Sequence, residues 1–348
     1  MTTDEYDLRE SGRDEEEAIR RLLVESFPDN PKARREVMDW QYWDNPFGPT
    51  SCWVWSERDG GEIVGHYANY PVPCLLDGRP SLAGLAVDAA MSPKLQGKRM
   101  FKPLSEALYA DSVNKGMAVS LAYPSNPIAV KGIRSAGWLE VTRLRTLVLA
   151  VDESFVTDRF KVPAPVARLG LKVAFGPGAG PRGEEVGGPP DGLDALWATW
   201  AAAGRIRNGI IRDAAWWDWR YARSPMGPYR YFEVRAGADL LAAAVVLVHE
   251  DFGGRFAYLL ELLAEDRDSA RALLRTIIRS VSGVAGLATV AMQGTHLHRM
   301  ARAAGMRTLP QRLEPKGLWF GFVDNGGRGW SRLTSAPWAI GWGDLDHL

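Results

Sequence analysis

Cysteines, an excess of one charge and long apolar runs are all scarce or missing in this 348-residue chain. Cys52 and Cys74 are the only cysteines, so the chain is no disulfide scaffold, and a reduced cytosolic compartment is the simplest expectation. The 42 basic and 42 acidic residues cancel, which argues against broad binding of nucleic acid or of an anionic membrane surface. No apolar run approaches the ~20 residues of a membrane span, and the acidic N-terminus lacks the apolar core of a signal peptide.

Residues 83–104 contain the sequence pattern on which the functional prediction depends. An apolar run that ends near Met91 predicts a buried strand, and Ser92-Pro93 interrupts it. A short polar turn follows at 96–99, and apolar residues then recur at helical spacing from Met100 onward. The pattern therefore predicts a strand, a tight polar loop and a helix.

A strand, a tight loop and a helix in this order can form a binding site for an anion. The first backbone N–H groups of a helix have no partner inside the helix, and the helix dipole makes that end electropositive. Gly97 leaves the backbone open to an approaching phosphate, and Lys98 and Arg99 add positive charge. The loop is therefore a candidate phosphate site, and an ordinary solvated basic turn is the alternative.

The loop resembles the acyl-CoA loop of the GNAT (Gcn5-related N-acetyltransferase) superfamily, whose signature is Gln/Arg-x-x-Gly-x-Gly/Ala. Arg99 stands at the position of the second glycine. A second GNAT pattern follows, in which an apolar strand precedes Asn-x-x-Ala and a later Gly-aromatic pair. Its residues here are Asn126, Ala129, Gly137 and Trp138.

The two halves of the chain are similar to each other. Residues 38–49 align without gaps with residues 217–228, with Asp, Trp, Tyr, Pro, Gly and Pro in register. We predict a GNAT domain at 1–150 with the order β-α-α-β-β-β-α-β-α-β, a Gly/Pro-rich connector at 151–190, and a degenerate GNAT-like domain with a tail at 191–348. The predicted fold class is α/β (α+β), with a mixed, mostly antiparallel sheet and flanking helices in each domain.

The second half lacks the glycine loop. Acids stand there instead, at Glu265, Asp266 and Asp268, and they would stabilise the helix start themselves and repel pyrophosphate. We therefore predict that only the first half binds CoA. The Trp/Tyr clusters at 40–43 and 216–221 occur in both halves, which favours a packing role.

The GNAT resemblance implies acetyl-CoA or another acyl-CoA as co-substrate, with pantetheine lying between two parting strands. The residues that it implies for CoA binding are Ala89, Ala90, Met91, Gln96, Gly97, Lys98, Arg99, Met100, Phe101 and Asn126. No metal is expected, since His296 and His298, taken as neighbours in a strand or loop, have no third ligand at metal spacing.

Proton transfer is less well defined by the resemblance. Many GNAT proteins have a glutamate on the strand before the loop, where only Asp88 occurs here, and strand alternation from Val87 turns it away from the apolar face. Ile133 replaces the tyrosine that many members use as general acid. The candidate catalytic residues are His66, Tyr67, Tyr123 and Asn126, with histidine the best general base among them. A water relay without one essential base is an alternative.

The sequence thus predicts a CoA-dependent N-acyltransferase acting on a small amine. Pro124-x-Asn126 and the terminal Gly343-Asp344-x-Asp346 resemble elements of sugar N-acyltransferases of polysaccharide clusters, so a nucleotide-linked amino sugar is a possible acceptor. The alternatives are an aminoacyl-tRNA-dependent transferase of the tandem-GNAT type and a non-catalytic acyl-CoA sensor. Neutral charge disfavours the former.

Overall fold

The computed structural model describes residues 5–28, 30–95, 97–153, 157, 181–251, 254–310, 314 and 317–345. Contacts divide the chain into two compact units. Unit 1 comprises Met1–Thr142, Arg223–Met226 and Leu318–Ala336. Unit 2 comprises Arg143–Ala222, Gly227–Gly317 and Pro337–Leu348.

The strands, in chain order, are β1 (Tyr6–Glu10), β2 (Ser51–Glu57), β3 (Ile63–Leu76), β4 (Arg79–Met91), β5 (Met117–Ala122), β6 (Leu139–Ala150), β7 (Gly183–Val186), β8 (Gly209–Ile210), β9 (Arg230–Ala236), β10 (Asp239–Asp251), β11 (Gly254–Ala264), β12 (Gly286–Ala291), β13 (Arg307–Thr308) and β14 (Leu318–Asp324). The α-helices are α1 (Glu16–Ser26), α2 (Arg35–Met38), α3 (Phe101–Asn114), α4 (Pro127–Ser135), α5 (Leu193–Ala202), α6 (Ala214–Trp217), α7 (Arg267–Ser280) and α8 (His296–Ala303). Two π-helical turns, Asp39–Trp43 and Asp218–Ala222, directly follow α2 and α6.

The sheet of unit 1 has the order β1-β2-β3-β4-β5-β14. Its neighbours are antiparallel except β4 and β5, which are parallel because α3 connects them as a crossover. Helices α3 and α4 pack on the sheet through an apolar stripe that includes Leu104, Leu108 and Val130. The crossover places the start of α3 directly after the end of β4.

The sheet of unit 2 has the order β6-β12-β11-β10-β9-β7, and β13 also pairs with β6. Its one parallel pair among the described strands is β11 with β12, which α7 connects. Leu273 and Ile277 of α7 and Leu297 of α8 are buried in its apolar core. Unit 2 therefore repeats the local arrangement of strand, helix and parallel strand found in unit 1.

The predicted fold class is confirmed, since both units are mixed α/β with mostly antiparallel strands and flanking helices. The predicted element order of the first half is confirmed as well. A 3-10 turn at Arg13–Glu15 precedes α1, and neither N-cap residue, Gly12 or Glu15, provides a side-chain cap. His296 and His298 lie on helix α8 and not in a strand or loop.

The ends of the two halves pair outside their sequence order. Strand β14, from the far end of the chain, pairs with β5 in unit 1, and β6 pairs with β12 in unit 2. The boundaries at residues 150 and 190 describe the sequence repeat and stay a prediction. Most of the predicted connector, residues 154–156 and 158–180, lies outside the described residues.

Candidate functional site

In unit 1, two parallel strands are paired over part of their length. β4 and β5 are paired from Leu82 opposite Met117 to Leu85 opposite Leu121. Beyond that point β4 continues to Met91 and stays paired with β3 across a bulge. We call the gap between residues 86–91 and residues 122–126 the cleft. Backbone groups along a strand edge that is not paired can bind an extended ligand as an added strand.

The loop after β4 has an unusual backbone. Gly97 has φ +77° and Arg99 has φ +57°, so both lie in the left-handed region. An L-residue such as arginine pays about 1–2 kcal/mol for this conformation, whereas glycine does not. The side chains of Lys98 and Arg99 are exposed, and nothing lies within 4 Å of a Cβ built on Gly97. The loop is therefore held in a strained shape that leaves its outer side open.

The backbone N–H groups of residues 97–101 have few partners among the described residues. Lys98 N–H donates to the carbonyl of Leu95 at 3.1 Å. Within the described part of the chain, no acceptor is recorded for the N–H groups of Gly97, Arg99, Met100 and Phe101. Met100, the N-cap of α3, provides no side-chain cap. Four of the five N–H groups from Gly97 to Phe101 thus have no partner within the described residues.

The cationic side chains of the loop differ in their contacts. Lys98 Nζ donates to the hydroxyl of Tyr6 at 3.1 Å and lies 4.7 Å from the centre of that ring. Arg99 has no described partner. Gln96, also predicted to bind CoA, lies outside the described residues.

The opposite wall of the cleft begins where β5 ends. Tyr123 is buried and stacks on Phe320, with ring centres 5.1 Å apart. Asn126 caps α4, since its Oδ1 accepts from the N–H of Ile128 at 2.8 Å. The next residues are exposed, with Ile128 at 81%. Asn126 therefore lies at an accessible helix start, as predicted, whereas Tyr123 is engaged in packing.

His66 does not line the cleft as a free base. Its side chain is fully buried, and both ring nitrogens have partners. Nδ1 lies 2.9 Å from the carbonyl oxygen of Asp88, and Nε2 lies 3.4 Å from Sγ of Cys52. Burial lowers the pKa of His66 to about 4, against the smaller opposing effect of the Asp88 carbonyl. The ring is therefore neutral at physiological pH.

Tyr67, the neighbour of His66 on β3, belongs to the packed core. Its ring contacts Phe101 at 5.4 Å and Tyr109 at 6.5 Å, between ring centres. The Tyr109 hydroxyl accepts from Trp138 Nε1 at 2.6 Å. Burial is the largest cause that raises the pKa of Tyr67 well above its ordinary value. Tyr67 therefore forms part of a buried polar chain beneath α3 and α4.

Asp88 lies in a β-bulge, where strand alternation does not predict the direction of its side chain. The β3–β4 register shifts between His66 and Ala68, and Asp88 has φ +54° within this bulge. Simple strand alternation does not apply across a bulge. The half-buried carboxylate of Asp88 accepts from the hydroxyl of Tyr42 at 2.7 Å. An acid is thus fixed on β4 beyond the point where β5 departs.

Unit 2 contains a corresponding gap and a corresponding acid. β11 and β12 pair only from Phe256 opposite Gly286 to Tyr258 opposite Ala288. Three residues beyond Tyr258, as Asp88 is beyond Leu85, Glu261 accepts from the hydroxyl of Tyr221 at 2.8 Å. Tyr221 aligns with Tyr42 in the sequence repeat, so both units fix a carboxylate with the tyrosine of a π-helical turn.

The gap in unit 2 is filled by the chain itself. Segment 337–345, which we call the strap, contacts β11, and Trp342 stacks on Tyr258 with ring centres 5.3 Å apart. A Cβ on Gly343 would lie 2.9 Å from the Leu260 carbonyl oxygen, so the strap lies against the backbone of β11. Met292 after β12 and Leu297 of α8 also contact the strap.

A buried ionic cluster holds the strap. Arg212 pairs with Glu261 at 2.7 Å and with Asp344 at 2.5 Å, and all three side chains are at most 3% exposed. Arg220 donates to the carbonyls of Gly343 and Leu345, each at 3.1 Å. Burial is the largest cause that raises the pKa of Asp344 to about 6. Glu261 is therefore sealed between an arginine and the strap.

The helix start in unit 2 is also closed. Asp266 caps α7, because its Oδ1 accepts from the N–H groups of Asp268 at 3.0 Å and Ser269 at 2.8 Å. The Ser269 hydroxyl accepts in return from the N–H of Asp266 at 3.2 Å, which completes a capping box. The expectation that acids satisfy this helix start is confirmed.

Residues 7–140 match the family model described as an acetyltransferase (GNAT) domain. The chain is similar in structure to a probable N-acyltransferase of Enterococcus faecalis V583, with a TM-score of 0.65, 13% identity, and coverage of 91% of this chain and 71% of that one. It is also similar to a GCN5-related N-acetyltransferase of Anabaena variabilis ATCC 29413, with a TM-score of 0.66, 10% identity, and coverage of 92% of this chain and 73% of that one. For a GCN5-related N-acetyltransferase of Kribbella flavida the TM-score is 0.60 and the identity 15%, with coverage of 92% of this chain and 72% of that one. No curated protein matches the sequence.

Residues 7–140 thus match a GNAT acetyltransferase domain, and most of the chain shares the fold of these three solved structures. That domain contains the cleft, the loop and Asp88. Identities of 10–15% establish the fold alone.

Three further observations bear on the predictions. Cys52 and Cys74 are both free and buried. Over the described ranges, no helix is long and apolar enough to cross a membrane. Nor do those ranges contain three or more His, Cys, Asp or Glu side chains grouped so that they could hold a metal ion.

Proposed function

We propose that the protein is an acyl-CoA-dependent N-acyltransferase that acylates the amine of a small molecule. One observation supports this most: the open, uncapped loop of the GNAT domain directly follows a pair of strands that part. Phosphates prefer uncapped helix starts, and pantetheine, which carries amides, suits a strand edge. Acetyl-CoA is the simplest donor, and a nucleotide-linked amino sugar is the acceptor that the sequence resemblance favours.

In the proposed binding mode, two parts of the acyl-CoA donor are bound by two regions of unit 1. The N–H groups of Gly97, Arg99, Met100 and Phe101 hold the pyrophosphate, and the Arg99 guanidinium adds an exposed positive charge. The backbone of Ala89, Ala90 and Met91 binds the pantetheine, which brings the thioester toward Asp88 and Asn126.

Asp88 is our candidate for the group that accepts the proton of the attacking amine. Acyl transfer needs a neutral amine, which attacks the thioester carbonyl carbon, forms a C–N bond and breaks the C–S bond. The attacking nitrogen becomes positively charged as the C–N bond forms and passes a proton to the Asp88 carboxylate, directly or through water. The departing thiolate takes up a proton from that carboxyl group or from water. Tyr42 keeps the carboxylate in place through its hydrogen bond.

A thiol-release assay tests the proposal. Acetyl-CoA is incubated with the protein and with a panel of small amines that includes nucleotide-linked amino sugars, and free CoA is measured against the hydrolysis rate. We expect CoA release that depends on one class of amine. If acetyl-CoA binds, as measured by calorimetry, and no amine accelerates release, the protein is a sensor and the enzyme proposal fails. If acetyl-CoA does not bind, the donor assignment fails as well.

A further inference from the structure

The His66 ring is fully buried, so it cannot act on a substrate as a general base. Its ring is stacked parallel to that of Tyr42, with centres 6.0 Å apart and an interplanar angle of 11°. The ring nitrogens contact one group each, the Asp88 carbonyl at Nδ1 and the Cys52 sulfur at Nε2. His66 therefore has contacts with both the backbone of Asp88 and the tyrosine that binds its carboxylate.

These partners determine the tautomer. A backbone carbonyl only accepts hydrogen bonds, so Nδ1 must carry the proton. Nε2 is then an acceptor, and the Cys52 S–H is the donor to it. Burial raises the pKa of Cys52, which keeps the thiol protonated and suited to that role.

The carbonyl that His66 binds belongs to a strained residue. Asp88 is left-handed at φ +54°, and the ladder between β3 and β4 is interrupted there, between the pairs of His66 and Ala68. A left-handed non-glycine residue persists only when its surroundings hold it. The imidazole N–H donates to the Asp88 carbonyl within the interrupted ladder.

We propose that His66 is a positioning residue, whose buried imidazole holds the Asp88 backbone in the bulge so that the carboxylate faces the acceptor amine. The inference rests on the proposed function, in which Asp88 takes the proton from that amine. Two contacts then fix one acid: His66 holds its main chain, and Tyr42 holds its side chain.

Unit 2 indicates that the fold does not require this histidine. Glu261, the corresponding acid, is opposite Val245 on the neighbouring strand, and the register also shifts there. Glu261 is not among the described non-glycine residues with positive φ. Within the described residues its carboxylate accepts hydrogen bonds from the side chains of Tyr221, Arg212 and Trp216. The histidine accompanies the left-handed acid and is absent where the acid has ordinary strand geometry.

The first experiment measures the ring itself. Nitrogen-15 NMR of the full chain, with His66 assigned by its absence in His66→Phe, or in His66→Asn if the former does not fold, reports the tautomer and the titration of the ring. We expect protonated Nδ1, unprotonated Nε2, and no titration between about pH 5 and 8. A ring that titrates near its ordinary pKa, or that is protonated at Nε2, would overturn the inference. This readout does not depend on turnover, so it remains decisive if no amine is ever acylated.

The second experiment measures coupling to Asp88. His66→Phe keeps a stacking ring but removes both hydrogen bonds, and we expect kcat to fall about tenfold with the KM for acetyl-CoA unchanged. His66→Asn retains an N–H donor near the position of Nδ1 and should restore part of that loss. Added to Asp88→Asn, the phenylalanine substitution should have no further effect on kcat, because it acts through the same carboxylate. Multiplicative losses in the double variant, or wild-type kcat in His66→Phe, would contradict the positioning role.

Two cysteine variants test the same inference if the histidine variants do not fold. Cys52→Ala removes the donor to Nε2, whereas Cys74→Ala removes an equally buried thiol further along β3. We expect Cys52→Ala alone to lower kcat, by about twofold to fivefold, while both variants lose similar thermal stability. Equal kcat in the two variants would count against the inference.

Discussion

The helix starts that follow β4 and β11 differ in how their backbone N–H groups are satisfied. Each begins a helix after a strand whose parallel neighbour departs, and each leaves backbone N–H groups pointing away from the helix. Before α7, Asp266 and Ser269 satisfy those groups from within the chain. Before α3, none of the described side chains does so, and Gly97 and Arg99 have left-handed backbone conformations. An internal cap therefore marks the helix start that has no need of an external anion.

The two carboxylates extend the comparison. Asp88 and Glu261 each accept a hydrogen bond from a repeat-related tyrosine. Arg212 and the strap enclose Glu261, while Ala33 occupies the position aligned with Arg212, one residue before the N-cap of the short helix in each unit. A methyl group cannot supply a counter-charge. The two units therefore share a tyrosine–carboxylate pair and differ at the position that Arg212 occupies in unit 2.

The largest expected effect follows from closing the loop of unit 1. Gly97→Glu places a carboxylate beside the uncapped N–H groups, so it competes with pyrophosphate and repels it. We expect the Kd for acetyl-CoA to rise by about a hundredfold or more, equivalent to ~2.7 kcal/mol, in isothermal titration calorimetry.

Gly116→Glu is the matched control for that change. Gly116 also has positive φ and open space around a Cβ, but it follows the C-terminal end of α3. It therefore introduces the same strain and the same charge away from the loop. An unchanged Kd in Gly97→Glu, or an equal rise in Gly116→Glu, would refute the loop assignment.

The next effect tests how the strap is held. Arg212→Met leaves Glu261 and Asp344 buried next to each other without their cation, so we expect the free energy of unfolding to fall by about 3–5 kcal/mol. Arg230→Met removes an exposed pair with Glu185 and should cost no more than ~1 kcal/mol. Denaturant unfolding of the full chain measures both. Equal losses in the two variants would mean that the cluster has no special role in stability.

The carboxylate of unit 1 should matter for turnover rather than for folding. Asp88→Asn keeps the size of the side chain and tolerates a left-handed backbone, so we expect folding and acetyl-CoA affinity to persist. Loss of the proton acceptor should lower kcat by about a hundredfold, and Tyr42→Phe should lower it about tenfold or less. Steady-state kinetics with the preferred amine measure both. Wild-type kcat in Asp88→Asn would favour the water relay without an essential base.

Much of this site could be predicted from the sequence, because its parts are local. The apolar run before Ser92, the glycine at 97 and the helical spacing after Met100 specify a strand, a loop and a helix by near-neighbour rules. The acids before α7 likewise predict a self-capped helix from four consecutive positions. Asn126 as a helix cap also follows from short-range sequence, since Pro127 comes directly after it.

The features that escaped prediction depend on register and on distant partners. The bulge that reorients Asp88 arises from one extra residue between two strands, which no periodic pattern within β4 reveals. Strand β3 continues through Pro71 and Pro73 to Leu76, although prolines suggest an earlier end, because those positions lie beyond its last pair with β2. The pairing of β14 with β5 joins segments about 200 residues apart in sequence, so it could not be derived from either segment alone.

The smallest expected effect tests the closed helix start of unit 2. Asp266→Ala removes the cap of α7, and we expect the free energy of unfolding to fall by about 1 kcal/mol at pH 7, with acetyl-CoA affinity unchanged. The hydrogen bond from the Ser269 N–H is the largest cause that lowers the pKa of Asp266 from its ordinary 3.8. Because the folded-state pKa is lowered, this stability is present above the ordinary value of 3.8, and the difference between the two proteins should shrink as the pH falls below 3.8. Asp268→Ala is the control, since Asp268 is exposed in the same turn and should cost only a few tenths of a kcal/mol. A loss of acetyl-CoA binding in Asp266→Ala would show that this junction takes part in binding the donor, and the contrast between the two helix starts would no longer hold.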